Sequence, residues 1–319
     1  MTVRSLDLLD LPTLSRYRRD VLPLDSARLL TRGDPLGALA MLSYLNPRRH
    51  IYTAVASQDG ASLMGQVTLK EGEPSARLTF LTPGEGLNGL TLPLLDHLAA
   101  QAAEWGAFHL LAEVDEDSPA FRSLRQSGFA MYAWQRVWKL PRLDAPSVKW
   151  TWREVEETDW PAVQSLHGQI IPALIQPVDS LPKQPAGLVC RPEGALQAYV
   201  AVISGTQGIW LQPLVPPDSG CTPEHLVGLA PLIPGWGKRP VYVCVRSYQT
   251  WLETALQDLG AEAGDRQAVM VRRMAKTQKV EQAVSAMEKV LVKPAAPVAR
   301  IDRAVPETVS QVPRPNTGE

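Results

Sequence analysis

The sequence is poor in the features that would point to an oxidising compartment or a charged partner. It contains only three cysteines in 319 residues, namely Cys190, Cys221 and Cys244. An odd number of widely spaced cysteines predicts neither a disulfide framework nor a metal site, and it favours a reducing, cytoplasmic environment. The formal net charge is −1. A charge so close to zero predicts neither a nucleic acid nor an anionic membrane as a partner.

Long apolar runs and familiar catalytic patterns are missing as well. No stretch approaches the ~20 apolar residues of a membrane helix. The N-terminal segment carries acids inside its short apolar run, which is not typical of a signal peptide. The sequence contains no nucleotide-binding P-loop, no Ser/His/Asp arrangement typical of a hydrolase and no spacing of ligands typical of a zinc site. What remains is an ordinary globular composition, 45% hydrophobic and 20% charged, in a chain long enough for two domains.

The most informative stretch runs from Leu78 to Phe129. Its pattern predicts a short strand, a glycine-rich turn at 84–89, a helix, a second strand at 108–114 and a last short helix. Leucines and alanines recur at helical spacing from position 92 to 103. Gly106 and Gly128 each end a helix where a left-handed backbone costs a glycine little. Upstream, an Asp59-Gly60 turn between two apolar runs predicts a hairpin of residues 51–57 and 63–70.

A repeat is hidden in the chain. Arg4, Asp10 and Pro12 match Arg153, Asp159 and Pro161, each pair 149 positions apart. Leu124, Gly128 and Val137 match Leu256, Gly260 and Val269, each pair 132 positions apart. So many ungapped matches predict two tandem domains, at 1–142 and 148–275, joined by a proline-containing linker at 141–149. The alternative is two unrelated α/β domains with similar helix starts.

The regions around and after the second copy carry two further predictions. Five of the nine tryptophans crowd around the linker, at positions 134, 138, 150, 152 and 160. They predict either a buried seam between the domains or separate packing in each core. Residues 276–293 read as an amphipathic helix with one apolar stripe. Residues 294–319 are rich in proline and predict a disordered tail.

The order of elements in Leu78–Phe129 resembles the central part of the GNAT acetyltransferase superfamily. In that family a strand leads through a loop into a helix, a further strand and a short helix that ends in Gly-Phe. Together with the repeat, the resemblance implies an α/β fold of two tandem GNAT-like (acyl-CoA N-acyltransferase) domains. Each domain would be a mixed, mostly antiparallel sheet flanked by helices.

The resemblance also implies acetyl-CoA as cofactor, with its pyrophosphate at the N-terminus of the helix. The residues implied to bind it are Leu81, Thr82, Gly86, Asn88, Gly89, Leu90 and Thr91. The family's loop pattern, Gln/Arg-x-x-Gly-x-Gly/Ala, falls on residues 86–91. Gly89 keeps the central glycine, whereas Gly86 and Thr91 depart from the pattern and Glu85 adds a carboxylate that would repel phosphate. The alternative is a structural glycine turn. In the second copy nothing matches the loop, which predicts a structural role for that domain.

The catalytic positions depart from the family as well. The tyrosine that commonly protonates the leaving thiolate is replaced by Leu124 in the first copy and by Leu256 in the second. Glu113, on the second strand of the stretch, is the candidate general base for an amine substrate, and a merely solvated acid is the alternative. The implied function is an acetyl-CoA-dependent N-acyltransferase acting on a small-molecule or peptide amine. The alternative is a catalytically inactive GNAT-like binding or interaction protein.

Two basic clusters complete the candidates, at residues 16–19 and 47–50. They predict either a site for an anionic substrate or the adenosine phosphate of CoA, or a solvated surface.

Overall fold

The computed structural model of the chain describes residues 1–7, 10, 16–36, 49–84, 89–142, 152–191, 194–219 and 223–274. Several sequence predictions lie outside these residues, among them the cofactor positions Gly86 and Asn88, most of the linker at 141–149, the helix at 276–293 and the tail at 294–319.

The described residues form thirteen strands and six α-helices. The strands are β1 (Thr2–Ser5), β2 (Leu22–Pro23), β3 (Arg49–Gln58), β4 (Ala61–Lys70), β5 (Ser75–Thr82), β6 (His109–Asp115), β7 (Ala130–Lys139), β8 (Trp152–Glu154), β9 (Leu188–Cys190), β10 (Ala198–Ser204), β11 (Ile209–Leu214), β12 (Val241–Arg246) and β13 (Glu262–Arg273). The helices are α1 (Ser26–Arg32), α2 (Thr91–Glu104), α3 (Pro119–Gln126), α4 (Trp160–Ile170), α5 (Pro223–Val227) and α6 (Trp251–Asp258). Short 3-10 turns lie at Glu157–Asp159, Ala230–Leu232 and Ser247–Gln249.

All thirteen strands belong to one sheet. Its order is β1-β3-β4-β5-β6-β13-β7-β12-β11-β10-β9-β8, with β2 pairing on β5. The pairs β5–β6 and β11–β12 are parallel, and the other described pairs are antiparallel. The predicted mixed, mostly antiparallel architecture is therefore confirmed.

The two halves of the chain exchange their last strands. β13, from the second half, lies between β6 and β7 of the first half. In return β7 pairs with β12 of the second half. Residues 1–276 accordingly form one compact unit. The division into domains at 1–142 and 148–275 stays a prediction.

The elements predicted in the first half are present. β3 and β4 form the predicted hairpin, in which Asp59 and Gly60 both have positive φ, of 52° and 81°. Positive φ at both central residues matches the right-handed twist of paired strands. Helix α2 ends just before Gly106, whose φ is 90°.

The repeat is visible in individual hydrogen bonds. The Arg4 guanidinium donates to both carboxylate oxygens of Asp10, at 2.6 and 2.8 Å. Arg153 binds Asp159 with the same two distances. Each aspartate also accepts from the backbone amide three residues before it, that of Asp7 or Glu156. These matching clasps confirm that the repeat in the sequence is a repeat in structure.

Helices pack on the sheet through their apolar faces. Helix α2 buries Leu94, Leu95 and Leu98 completely against β3, β4 and β5 in the core of the first half. In the second half, α4 packs Val163 and Leu166 against β9, β10 and β11. Helices α5 and α6 complete a separate cluster. The core of each half thus lies between its helices and one part of the shared sheet.

The described tryptophans do not form one seam. Trp134 packs at the edge of the first-half core, and Trp160 packs against a second-half cluster. Trp138 and Trp152 are buried together in the other second-half cluster. The prediction of separate packing fits these four better, although Trp138 crosses over because β7 pairs with β12.

Candidate functional site

The parallel strands β5 and β6 separate part of the way along their length. Ser75, Ala76 and Arg77 lie opposite residues 109–111, and no pairing between β5 and β6 follows. On the other side of β5, the register with β4 shifts between Gln66 and Val67, which makes a bulge. The resulting gap lies between Leu81 and Thr82 on β5, which are implied to bind the cofactor, and the candidate base Glu113 on β6.

The chain fills this gap with its own segment Leu22–Leu24. Leu22 lies opposite Leu81 in the pairing of β2 with β5. The Leu24 amide donates to the Thr79 carbonyl at 3.0 Å, and the Leu24 carbonyl accepts from the Glu113 amide at 2.9 Å. Leu24 therefore bridges the two separated strands, and the predicted cofactor residue Leu81 already has a backbone neighbour.

The start of the predicted phosphate loop is occupied by Asp20. The Thr82 hydroxyl donates to the backbone carbonyls of Asp20 and Tyr17, at 2.8 and 3.1 Å. The Gly84 amide approaches both the carbonyl and the Oδ1 oxygen of Asp20, at 3.0 and 2.9 Å. The Asp20 carboxylate therefore accepts a hydrogen bond from the Gly84 amide, two residues before the predicted phosphate loop at 86–91.

Past the loop, the remaining predicted cofactor residues surround the start of α2. Gly89 is exposed, whereas Leu90 and Thr91 are buried. Leu90 occupies the N-cap position and provides no side-chain cap.

The second half closes the corresponding gap by a different route. In the parallel pairing of β11 with β12, only residues 209–211 of β11 have partners, and these are residues 241–243 of β12. Beyond them the side chain of Gln249 accepts from the Val215 amide at 3.0 Å and donates to the Pro213 carbonyl at 2.9 Å. Val215 and Pro213 lie 133 positions after Thr82 and Phe80. Gln249, a residue that is 1% exposed, therefore bonds to the end of β11 beyond its pairing with β12, as Leu22–Leu24 bonds to the end of β5 beyond its pairing with β6.

Glu113, the candidate base, lies in a buried cluster of charges. It is 2% exposed and accepts from the Ser26 amide at 2.9 Å. Its Oε1 oxygen lies 3.4 Å from Arg77 and 3.9 Å from Arg246. Burial alone would raise the pKa of Glu113, but the charges of Arg246 and Arg77 and the bond from Ser26 outweigh it and hold that pKa below its usual value. Glu113 is therefore an ionised carboxylate with two cationic neighbours, and its catalytic role stays a prediction.

Sequence analysis missed Arg77, Arg246, Asp25 and Asp179. Each arginine interrupts or ends an otherwise apolar strand, and this was the available signal. Asp25 caps α1 by accepting from the Arg28 amide. Asp179 accepts from the Tyr248 hydroxyl at 2.6 Å. Only the fold brings these residues, from both halves, around Glu113.

The same residues line a cleft between the two halves of the sheet. One cavity of about 390 Å³ is lined by α1, β5, β10 and β11, with Glu113 and Arg246 in its wall. A second cavity of about 230 Å³ shares Ser75 and Arg77 with the first and is closed by residues 178–183.

The other sequence candidates lie away from this cleft. Leu124 and Leu256, at the family's tyrosine position, are buried core residues. Arg16, Arg18 and Arg19 are exposed, and Arg18 pairs with Asp34 at the surface. Residues 47 and 48 of the other basic cluster fall outside the described ranges.

The described residues show neither a membrane-spanning helix nor a cluster of metal ligands. None of their helices has the length and apolar character needed to span a membrane. They also contain no group of three or more His, Cys, Asp or Glu side chains that could hold a metal ion.

Comparison with solved structures identifies the fold. A tandem GNAT protein from the clavulanic acid biosynthesis pathway matches with a TM-score of 0.50 and 18% identity, over 85% of this chain and 98% of that one. A GCN5-related N-acetyltransferase from Sphaerobacter thermophilus matches with a TM-score of 0.51 and 15% identity, over 85% and 95%. No protein-family model matches the sequence, and no curated protein matches it. The chain thus has the tandem GNAT fold, as its sequence predicted.

Proposed function

We propose that this protein is a tandem GNAT-fold binding protein that does not transfer acyl groups. One observation carries the proposal. In both halves, the strand beside the gap is hydrogen-bonded to another part of the same chain. Leu22–Leu24 makes these bonds in the first half, and Gln249 makes them in the second. A cofactor that needs Leu81 and Thr82 would have to displace these bonds and leave buried polar groups unpaired.

The charge of Glu113 supports the same proposal. A general base works best when its pKa lies near the working pH. The pKa of Glu113 is instead held below its usual value by Arg246 and Arg77. A carboxylate whose pKa is lowered is a weaker acceptor for the proton of an amine near pH 7 than an ordinary glutamate.

A second candidate is the acetyl-CoA-dependent N-acyltransferase, with the first half active on a small-molecule or peptide amine. The observation that favours it is the start of α2, where Leu90 provides no side-chain cap. Amides at a helix N-terminus can bind the oxygens of a pyrophosphate. In that case Leu22–Leu24 would have to leave the gap whenever acetyl-CoA binds.

Calorimetric titration with acetyl-CoA, together with an assay of thiol release in the presence of a panel of amines, separates the candidates. We expect neither binding nor amine-dependent thiol release at up to about 1 mM acetyl-CoA, the upper end of common Michaelis constants. Gly89→Asp serves as a control, because a carboxylate beside the helix start should abolish any genuine phosphate binding. Amine-dependent thiol release by the wild type that is lost in Gly89→Asp would overturn the proposal in favour of the acyltransferase.

A further inference from the structure

The cleft between the halves contains a buried cation without ordinary partners. The Arg246 side chain is 3% exposed. Its Nη2 atom lies 3.9 Å from Glu113, and its Nε atom lies 3.8 Å from Asp179. Charge-assisted hydrogen bonds are typically about 2.7–2.9 Å long. Within the described residues, Nε and Nη1 of Arg246 make no hydrogen bond.

An unsatisfied buried guanidinium is costly, and this one lines a cavity. A buried donor without an acceptor carries the full cost of its lost hydration. Arg246 lies in the wall of the 390 Å³ cavity, as does Arg77, which approaches Glu113 only to 3.4 Å. Within the described residues Arg77 makes one long hydrogen bond to Glu113, whereas Nε and Nη1 of Arg246 make none. An acceptor from a ligand would satisfy Arg246 and would also accept from the neighbouring Arg77.

Ser75 supplies a second unsatisfied group at the same place. Its hydroxyl is buried and makes no hydrogen bond to the rest of the described chain. Ser75 lies in the walls of both cavities, two residues before Arg77 on β5. The Ser75 hydroxyl and the Arg77 guanidinium thus lie where the two cavities meet, and Arg246 lies in the wall of the first cavity.

The charge of the cavity wall favours an anion. The lining of the 390 Å³ cavity includes five basic side chains and three acidic ones, an excess of two positive charges. Burial raises the pKa of Asp25, one of the three acids, which disfavours its negative charge. A bound monoanion or dianion would bring the wall close to neutrality.

The second cavity is suited to an apolar group. Its wall includes Leu111, Tyr132 and Val178, which pack together with Val271. It adjoins the first cavity at Ser75 and Arg77. A ligand that spans both would therefore carry its charge at the arginines and its hydrocarbon part beside Tyr132.

We infer that the cleft binds a small amphipathic carboxylic acid, with its carboxylate between Arg77 and Arg246 and its apolar part against Leu111, Tyr132 and Val178. This ligand class rests on the proposed binding function, because it names what such a protein would hold. The two are tested separately. Titration with carboxylic acids tests the ligand class, whereas titration with acetyl-CoA and the thiol-release assay test the proposed function.

The test uses the full chain and defined probes. Sodium octanoate and 3-phenylpropionate have both a charge and an apolar part. Octanamide has the same chain without the charge, and acetate and inorganic phosphate have charge without the chain. We expect octanoate and 3-phenylpropionate to bind in calorimetry and to raise the melting temperature, as a ligand of the folded state must. Octanamide, acetate and phosphate should each bind at least ~10-fold more weakly, since each lacks one half of the recognition.

Two variants test whether the bound carboxylate contacts Arg77 and Ser75, and a third variant is the matched control. Arg77→Met should weaken octanoate binding at least ~10-fold, since it removes a charged donor. Arg136→Met is the control, because Arg136 is equally exposed at 36% and also pairs with one glutamate, but lies outside the cleft. Ser75→Ala should weaken binding severalfold without loss of stability, because this hydroxyl makes no hydrogen bond to any described residue.

Three results would overturn the inference. The first is a wild type that binds neither amphipathic acid, which would leave water as the partner of Arg246. The second is acetate or phosphate binding as tightly as octanoate, which would mean a site for small anions alone. The third is unchanged octanoate affinity in both Arg77→Met and Ser75→Ala.

Discussion

Gln135 and Gln267 occupy the same position in the two halves of the sequence and hydrogen-bond to each other in the centre of the sheet. They lie directly opposite in the pairing of β7 with β13, and Nε2 of Gln135 donates to Oε1 of Gln267 at 2.8 Å. Their neighbours pair with the same symmetry, Trp134 opposite Ala268 and Arg136 opposite Arg266. A local twofold axis therefore passes through this pair, and each half completes the sheet of the other.

The strand exchange predicts that neither half is stable alone. A fragment of residues 1–142 would lack β13, which separates β6 from β7, and a fragment of 148–275 would lack β7. We expect each fragment to melt far below the full chain or to show no cooperative transition, and co-expression of the two to restore it. Circular dichroism melts of the fragments, singly and together, would check this. A fragment 1–142 that melts at the temperature of the whole protein would contradict it.

The two arginine–aspartate clasps should differ in their importance for stability. The Asp159 side chain is 2% exposed and meets both Arg153 and Arg191, whereas that of Asp10 is 14% exposed and meets Arg4. Removing a buried charged partner costs about 1–3 kcal/mol, and an exposed pair contributes less. We therefore expect Asp159→Asn to lower the free energy of unfolding more than Asp10→Asn does. Equal losses in urea titrations would count against this ranking.

Glu113 should stabilise the fold in a pH-dependent manner. Its pKa is lower in the folded chain than in the unfolded chain, whose usual value is about 4.3. Its contribution is therefore present above that value and is lost as the pH falls through the folded pKa. We expect Glu113→Gln to destabilise the protein at pH 7 and to do so much less at pH 3. Chemical unfolding of both proteins at the two pH values measures the difference, and an equal loss at both would show that charge is not the cause.

Asp25 should behave in the opposite way. Burial raises its pKa above the unfolded value of about 3.9, so its ionised form costs stability as the pH rises through the folded pKa. Asn keeps the capacity to cap α1 and carries no charge. We expect Asp25→Asn to raise the melting temperature at pH 8 and to leave it nearly unchanged at pH 3.5. A lower melting temperature at pH 8 would mean that attraction to Arg77 outweighs burial.

Gln249 should stabilise the second half through its two backbone bonds. Gln249→Met keeps the length of the side chain but leaves the Val215 amide and the Pro213 carbonyl unpaired. The expected loss is about 1–3 kcal/mol. Gln257→Met, at an exposed position on α6, is the control and should change the unfolding free energy little. Similar values for the two variants would contradict a closing role for Gln249.

Two glycines provide a test of the packing of α1 against the second half. A Cβ atom on Gly205 would lie 2.1 Å from the Thr31 carbonyl oxygen, closer than any contact allows. Gly168, inside α4, has open space around it and no positive φ. We expect Gly205→Ala to lower the melting temperature. Gly168→Ala should raise it, because alanine favours the helix over glycine by up to about 1 kcal/mol of free energy. A neutral Gly205→Ala would show that α1 moves readily away from β10.

Much of the fold could be predicted from the sequence because its signals are local or repeated. Gly106 and Gly128 mark helix ends through backbone conformation, and the Asp59-Gly60 turn fixes the register of its hairpin. The exchange of β7 and β13 could not be predicted, since a repeat shows that two halves are alike without showing which strands pair between them. The candidate site was found only in part for the same reason. Glu113 stands in the recognisable stretch, but Arg246 reaches it across 133 positions of sequence.

The position of β13 also affects how the chain is made. The first half of the sheet needs β13 beside β6, and Gln267 pairs with Asp115, 152 positions earlier in the chain. During synthesis β6 therefore leaves the ribosome long before its partner β13. Until β13 is made, the edge of β6 that will pair with it is exposed and can pair with other chains. A ribosome that stalls anywhere between residues 143 and 261 would hold a nascent chain whose first half has all its own residues and still cannot close. Folding of this protein should thus finish late in translation, when its thirteenth strand leaves the exit tunnel.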